Sequence, residues 1–133
     1  MQYHEIDAED KELIAVAADV IRRNFREDRH TVGAAVRCSS GRTYAGVNVD
    51  SCGYGPCAEP VAIGAAISAG ETAIEAIVAV EGRSGKYGVI SPCGNCRQLL
   101  LDYAGDAMVI VVHDGNTMKA RARDLLPAPY RSY

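Results

Sequence analysis

The chain has 133 residues and a mass of 14.2 kDa, which is one domain's worth of protein with room for a single sizeable core. A net charge of −3 argues against a nucleic-acid or anionic-membrane surface, and 48% apolar residues argue against disorder. Five cysteines are an odd number, so a closed disulfide framework would leave one over.

The N-terminus reads Met1-Gln2-Tyr3-His4-Glu5, without a basic start leading into an apolar stretch, so a secretory signal is not expected. The longest apolar-looking region, Val61 to Ala69, is broken by Gly64 and Ser68 and is too short to span a membrane. The expectation is a soluble protein of a reducing, cytoplasmic compartment, where grouped cysteines bind metal or do redox chemistry more often than they form bridges.

Asp7 to Asn24 has helical periodicity. Leu13, Ile14, Ala17, Val20 and Ile21 fall on one stripe, and Asp7 and Asp10 suit the positive end of a helix. Phe25 to Thr31 is polar and reads as a loop. Thr31 to Cys38 and Arg42 to Val49 read as a hairpin, with Ser39-Ser40-Gly41 as its turn. A glycine-containing loop, Asp50 to Pro56, precedes a second helix over 57–69, which Gly70 closes. That helix is rich in alanine, glycine and serine, which permit close approach to a sheet or another helix. Ile74 to Glu81 reads as a buried strand. Residues 82–92 form a Gly-rich connection. A third helix over Cys93 to Tyr103 follows, then a buried strand over Ala107 to His113. Asp114-Gly115-Asn116 turns the chain into Thr117 to Ala122, and a short helical piece, Ala122 to Leu126, stops before Pro127. Strands alternating with helices imply parallel crossovers. The expected architecture is a single α/β domain over 1–133, a three-layer α/β/α sandwich with a mixed five-stranded sheet.

The chemistry gathers in two segments, Pro56-Cys57-Ala58-Glu59 and Ser91-Pro92-Cys93-Gly94-Asn95-Cys96-Arg97-Gln98. Both open predicted helices after loops that leave the sheet, which is where ligands bind in open α/β sheets. Cys93 and Cys96 share one face of a first helical turn and can clamp one metal ion. Cys57 makes a third ligand. Zinc with three protein ligands keeps a fourth position for water, the catalytic arrangement. Helix N-termini aimed at the sulfurs would offset the negative charge of three thiolates. Glu59, two residues past a ligand, can face the open position as a proton carrier. Metal, water and proton carrier together suit hydrolytic deamination of an amidine-like ring carbon. Two other readings use the same residues. A structural zinc site needs a fourth ligand folded in from elsewhere. A dithiol oxidoreductase would use Cys93 and Cys96 without metal. Cys38 falls in a strand as a small core residue, and Cys52 lies in the glycine loop.

These segments resemble the zinc-dependent cytidine deaminase family, whose signature has a three-cysteine variant. The resemblance extends to Val32-Gly33-Ala34-Ala35, Gly46-Val47-Asn48-Val49 and Leu125-Leu126-Pro127, and so covers the chain from about residue 10 onward. Gly55 to Glu59, the short spacing from Asn48 to Cys57, and Leu125 to Tyr130 are similar to the blasticidin-S deaminase branch. The resemblance implies a Zn2+ ion on Cys57, Cys93 and Cys96, with Glu59 as the proton shuttle. It places Asn48 at a sugar, Asp50 at a ribose hydroxyl, and Ala58 and Ser91 at the amine and nucleophile. Tyr130 matches a C-terminal aromatic that reaches toward a base, often in a neighbouring subunit of a homotetramer. His30 falls near an aromatic position that packs on the pyrimidine. Pro60 stands where ordinary cytidine deaminases carry an arginine that steadies the thiolates. Compensation would then come from helix dipoles or from Arg97.

The function implied is deamination of the cytosine ring of a free nucleoside, cytidine or deoxycytidine, by zinc-bound hydroxide, as in pyrimidine salvage. Blasticidin S is the alternative substrate, and a non-catalytic zinc-binding domain the alternative class. A small-molecule partner is expected, without nucleic acid or membrane.

Overall fold

The computed structural model describes residues 1–131. In chain order it runs β1 (His4–Glu5), α1 (Ala8–Asn24), β2 (Val32–Cys38), β3 (Thr43–Val47), α2 (Ala58–Ser68), β4 (Ile74–Glu81), β5 (Gly88–Ile90), α3 (Gly94–Ala104), β6 (Met108–His113), β7 (Asn116–Arg121) and a 3-10 turn at Ala122–Asp124. The sheet order is β1-β7-β6-β4-β2-β3, with β5 also paired to β4. Among the described residues only β4 and β6 run parallel; every other pair is antiparallel.

The layers follow from the alternation of side chains across the strands. Ala35, Ala76, Val78, Val80 and Ile110 face α1, whose stripe Leu13, Ala17 and Ile21 is buried against them. Ala34, Val36, Ile77, Ala79, Val109 and Val111 face the other way, onto Ala58, Ala62, Ile63 and Ala66 of α2 and Leu100 of α3. The α/β/α sandwich is therefore as expected. Asp7 caps α1 in a reciprocal box with Asp10, which satisfies two otherwise orphaned N–H groups. Asp114 and Gly115 both have positive φ, 50° and 79°, as the two-residue hairpin turn joining β6 and β7 requires.

The strand count is corrected. The sheet has seven strands, not five. The two additional strands are two and three residues long and carry no apolar alternation that a sequence pattern could register. β1 pairs His4 with Lys119 and Glu5 with Met118. β5 lies within the Gly-rich connection. Positive φ at Gly85 and Tyr87 folds the chain back onto the end of β4, pairing Ala79 with Ile90.

β5 also explains where the site lies. β4 pairs with β6 through Ala76–Met108 and Ile77–Val109 and then turns to β5 instead. The Ser91 hydroxyl, one residue past β5, accepts from the Val112 N–H of β6 and spans the split. The chain enters Pro92 and Cys93 from this point. Ligand sites in α/β sheets form where neighbouring strand connections diverge. No helix among the described residues is long and apolar enough to cross a membrane.

Candidate active site

Two helix starts meet beside the strand split. Cys57 is the N-cap of α2 and Cys93 the N-cap of α3, both in extended backbone conformation. Cys96 lies one turn into α3, with its side chain buried. The Sγ atoms of Cys57 and Cys93 are 3.6 Å apart, those of Cys93 and Cys96 are 3.4 Å apart, and all three lie within 4.8 Å of one another. A tetrahedral zinc with Zn–S bonds of about 2.3 Å has sulfurs roughly 3.8 Å apart. The two pairs that share Cys93 are within a few tenths of an ångström of that spacing, and the third pair is no more than 4.8 Å apart.

The electrostatics of the thiols point the same way. Burial pushes the Cys57 thiol up, and its contact with Cys93 adds to this. Burial pushes Cys96 up strongly, reinforced by the Glu59 carboxylate. Burial also opposes the Cys93 thiolate, but the Cys96 N–H and the neighbouring thiols outweigh it and hold Cys93 below the ordinary thiol value. Burial thus favours the protonated form of Cys57 and Cys96, while hydrogen bonding favours the Cys93 thiolate. A soft divalent ion that displaces thiol protons matches this donor set.

Glu59 sits in the first turn of α2 and is 5% exposed. Burial raises its pKa above the ordinary carboxylate value. It is not a fourth member of the tight sulfur cluster, yet it lines the same cleft. The cleft encloses about 300 Å³ and runs from the cysteines to the ends of β2 and β3.

The sequence-predicted residues divide into two groups. Cys57, Cys93, Ala58, Glu59, Ser91, Asn48 and Asp50 all line the cleft, and Cys96 completes the sulfur cluster beneath it. His30 and Tyr130 are not part of its lining. His30 stands behind the wall: its Nδ1 lies 2.8 Å from the Asn48 carbonyl oxygen, which can only accept, so Nδ1 carries the proton. Tyr130 is 74% exposed, and its carbonyl accepts from Gln98. Asn48 has work within the chain. Its Oδ1 accepts from the Thr31 and Val32 N–H groups at 2.7 and 2.9 Å and its Nδ2 donates to the Arg29 carbonyl at 3.5 Å, so toward the cleft it has one Nδ2 hydrogen to offer. Cys38 is a core residue, and Cys52 is exposed outside the cleft lining.

Sequence reasoning missed the apolar walls. Val32, Val49, Pro56 and Ile90 line the cleft with apolar surface. Val32 opens a strand in which Gly33 to Val36 are buried, so its apolar character read as core rather than as cleft wall. Arg97, one of the two candidates for offsetting the thiolate charge, directs its guanidinium to two main-chain carbonyls, those of Pro92 and Leu125.

Comparison with known proteins gives consistent results. The family profile described as cytidine deaminase-like matches residues 6–91. The chain is 34% identical to the blasticidin-S deaminase of Bacillus cereus, over 98% of each chain. It is 38% identical to the cytidine deaminase of Mycobacterium tuberculosis, over 74% of this chain and 71% of that one. The crystal structure of the M. tuberculosis cytidine deaminase superimposes with a TM-score of 0.76 at 30% identity, covering 94% of this chain and 99% of that one. The cytidine deaminase of Mycobacterium leprae gives a TM-score of 0.75 at 28% identity, covering 91% and 99%.

Proposed function

The chain belongs to the cytidine deaminase-like family of hydrolytic deaminases, and from that premise we propose that it replaces the amine of a cytosine ring by oxygen in a free nucleoside or nucleoside-like compound. The observation that carries this reading is a three-sulfur cluster of zinc dimensions with a buried carboxylate beside it in one cleft.

Cys57, Cys93 and Cys96 would hold zinc. Bound there, zinc supplies Lewis acidity, which makes a water nucleophilic near neutral pH. The remaining chemistry falls to the protein. Glu59 takes a proton from the attacking water and delivers it to the ring nitrogen, then passes the second proton to the departing amine, which leaves as ammonia. Its burial, by raising its pKa, suits a group that must both take and give protons. Val32 and Ile90 keep bulk water away from the reacting carbon. The Asn48 amide donates, and the Asp50 carboxylate accepts, at the end of the cleft away from the cysteines, a pairing that suits hydroxyl groups.

Cytidine and deoxycytidine are the first substrates of this reading. Blasticidin S is the second, favoured by a match that runs the full length of both chains. The reading further takes the chain as one domain that assembles as a homotetramer, in which the exposed Tyr130 would reach a neighbouring cleft.

The decisive measurement is the loss of cytosine absorbance with cytidine, deoxycytidine and blasticidin S in parallel. Glu59→Gln should keep its zinc and lose about 10²–10⁴ in kcat, which is the usual worth of proton transfer. Zinc retained with no turnover of any of the three substrates would leave a metal-binding domain in place of an enzyme. A variant as active as the parent would remove Glu59 from the mechanism.

A further inference from the structure

Arg97 follows the buried Cys96 and is itself half-buried. Its Nε donates to the Pro92 carbonyl at 2.9 Å and its Nη1 donates to the Leu125 carbonyl at 3.1 Å. Among the described residues it has no carboxylate within 4.0 Å, although nine ion pairs of other arginines and of Lys119 are formed there. A half-buried guanidinium that bonds only main-chain carbonyls is holding backbone in place.

The two carbonyls are not equivalent. The Pro92 carbonyl belongs to the planar peptide that contains the N and Cα of Cys93. Holding that oxygen orients the peptide ahead of Cys93, and the bond from the Arg97 N–H to the Cys93 carbonyl orients the peptide behind it, so the direction of the Cys93 side chain is constrained from both sides. Cys93 is exposed, so packing does little to hold it. Leu125 is buried in the core on the α2 side of the sheet, just past the 3-10 turn. The brace therefore runs from a rigid core position to the peptide ahead of an exposed cysteine. Its middle is anchored on α3, where the Arg97 N–H also donates to the Cys93 carbonyl at 2.9 Å. A planar fork with two divergent N–H donors reaches both oxygens at once, whereas a lysine ammonium is a single point that cannot span them.

We propose that Arg97 is a positioning residue for the metal centre: its guanidinium braces the Pro92 carbonyl against the Leu125 carbonyl and so holds Cys93 at ligating distance from Cys57 and Cys96. The proposal rests on the reading of the three cysteines as a zinc site. It assigns Arg97 a geometric role that its positive charge alone does not fill.

The test compares Arg97→Lys, which keeps the charge and loses the fork, with Arg97→Gln, which loses both the charge and the fork. Zinc release to a chromogenic chelator is timed for each variant, and the thermal midpoint of each metal-free form is measured alongside. Both variants should release zinc about 10–100-fold faster than the parent, the usual effect of losing support around a ligand. The metal-free midpoint of Arg97→Lys should stay within a few degrees of the parent's. Parental release from Arg97→Lys would show that charge alone suffices and would overturn the proposal. So would faster release matched by an equal collapse of the metal-free fold, which would make the role merely structural. If Arg97→Gln does not fold, Arg97→Lys decides alone. A parent protein that binds no zinc sinks the metal reading and this proposal together, whereas a zinc-loaded parent with an indifferent Arg97→Lys sinks this proposal only.

Discussion

Gly46→Ala should loosen the metal site from a distance. Gly46 lies on β3 directly under α2, the helix whose N-cap is Cys57. A Cβ at this position would lie 2.7 Å from the Ala62 backbone nitrogen and 2.7 Å from Val61 Cγ1. Contacts under 3.0 Å are not tolerated and ordinary contact begins at 3.4 Å, and a helix backbone cannot rotate out of the way, so α2 and β3 must separate by about 0.3–0.7 Å. Overpacking of this kind costs about 1–3 kcal/mol. With an unfolding entropy of about 2.1 cal/mol/K per residue, that lowers the midpoint of a chain this size by roughly 4–11 °C. The same movement carries Cys57 away from Cys93, and metal sites tolerate only about 0.2 Å of error in ligand distance. Thermal unfolding of the metal-free form measures the first effect, and chelator competition measures the second. Gly64→Ala is the control on the same helix. Its Cβ would meet nothing within 4 Å, so it should be stabilising, by about 0.5–1 kcal/mol through helix propensity. A Gly46→Ala protein with the parental midpoint and parental zinc affinity would refute the claim that contact between β3 and α2 sets the position of Cys57.

Asp10 is 1% exposed, with Lys119 Nζ 2.7 Å from its Oδ2, so Lys119→Met should cost about 3–5 kcal/mol by stranding a buried carboxylate. A loss below 1 kcal/mol in denaturant titration would show that Asp10 does not rely on Lys119. Asp7 is held down to about 2, chiefly by the Asp10 N–H it accepts, with Lys119 contributing. Because its folded pKa is depressed, it stabilises the fold above its ordinary value of 3.8, and that contribution disappears as pH falls toward 2. Asp7→Asn should flatten this part of the stability–pH curve, and an unchanged acid slope would rule out the assignment. Added zinc should raise the midpoint of metal-free protein in a concentration-dependent way, and Cys93→Ser should abolish most of that response. A midpoint indifferent to zinc in the parent would count against the three-cysteine site.

The long elements and the three-cysteine cluster were legible because they carry strong spacing signals. α1 follows the stripe Leu13, Ala17, Ile21, and the cysteines of C-x-x-C share a helical turn at that spacing alone. Meeting Cys57 required only that two predicted helices start at the same sheet edge. The short strands were not legible. β5 owes its existence to positive φ at Gly85 and Tyr87 and to open pairing positions on β4, neither of which leaves a pattern in three residues. Asn48 was readable as a cleft residue, but its fixing of Thr31 and Val32 is a bond across sixteen or more residues between strand ends. Such a bond depends on the register of β2 with β3, which the sequence does not display. The same holds for Arg97, whose partner Leu125 lies 28 positions away.

The charge balance of the site ties these features together. Three thiolates on one divalent ion leave a net negative charge, which weakens the metal as an acid. Pro60 has no N–H to offer, and the Arg97 guanidinium makes its hydrogen bonds to carbonyls. Compensation by hydrogen bonding then comes from the start of α3, where the Cys96 N–H reaches Cys93 Sγ at 3.4 Å. Cys57 has no such bond at the start of α2. An electron-rich metal needs more help from its base than an electron-poor one does. On the proposed mechanism that burden falls on Glu59, the buried acid in this cleft. On this reading Glu59→Gln should be more damaging than the removal of any contact at the sugar end. An Asp50→Asn variant that matched its loss in kcat would break that ordering.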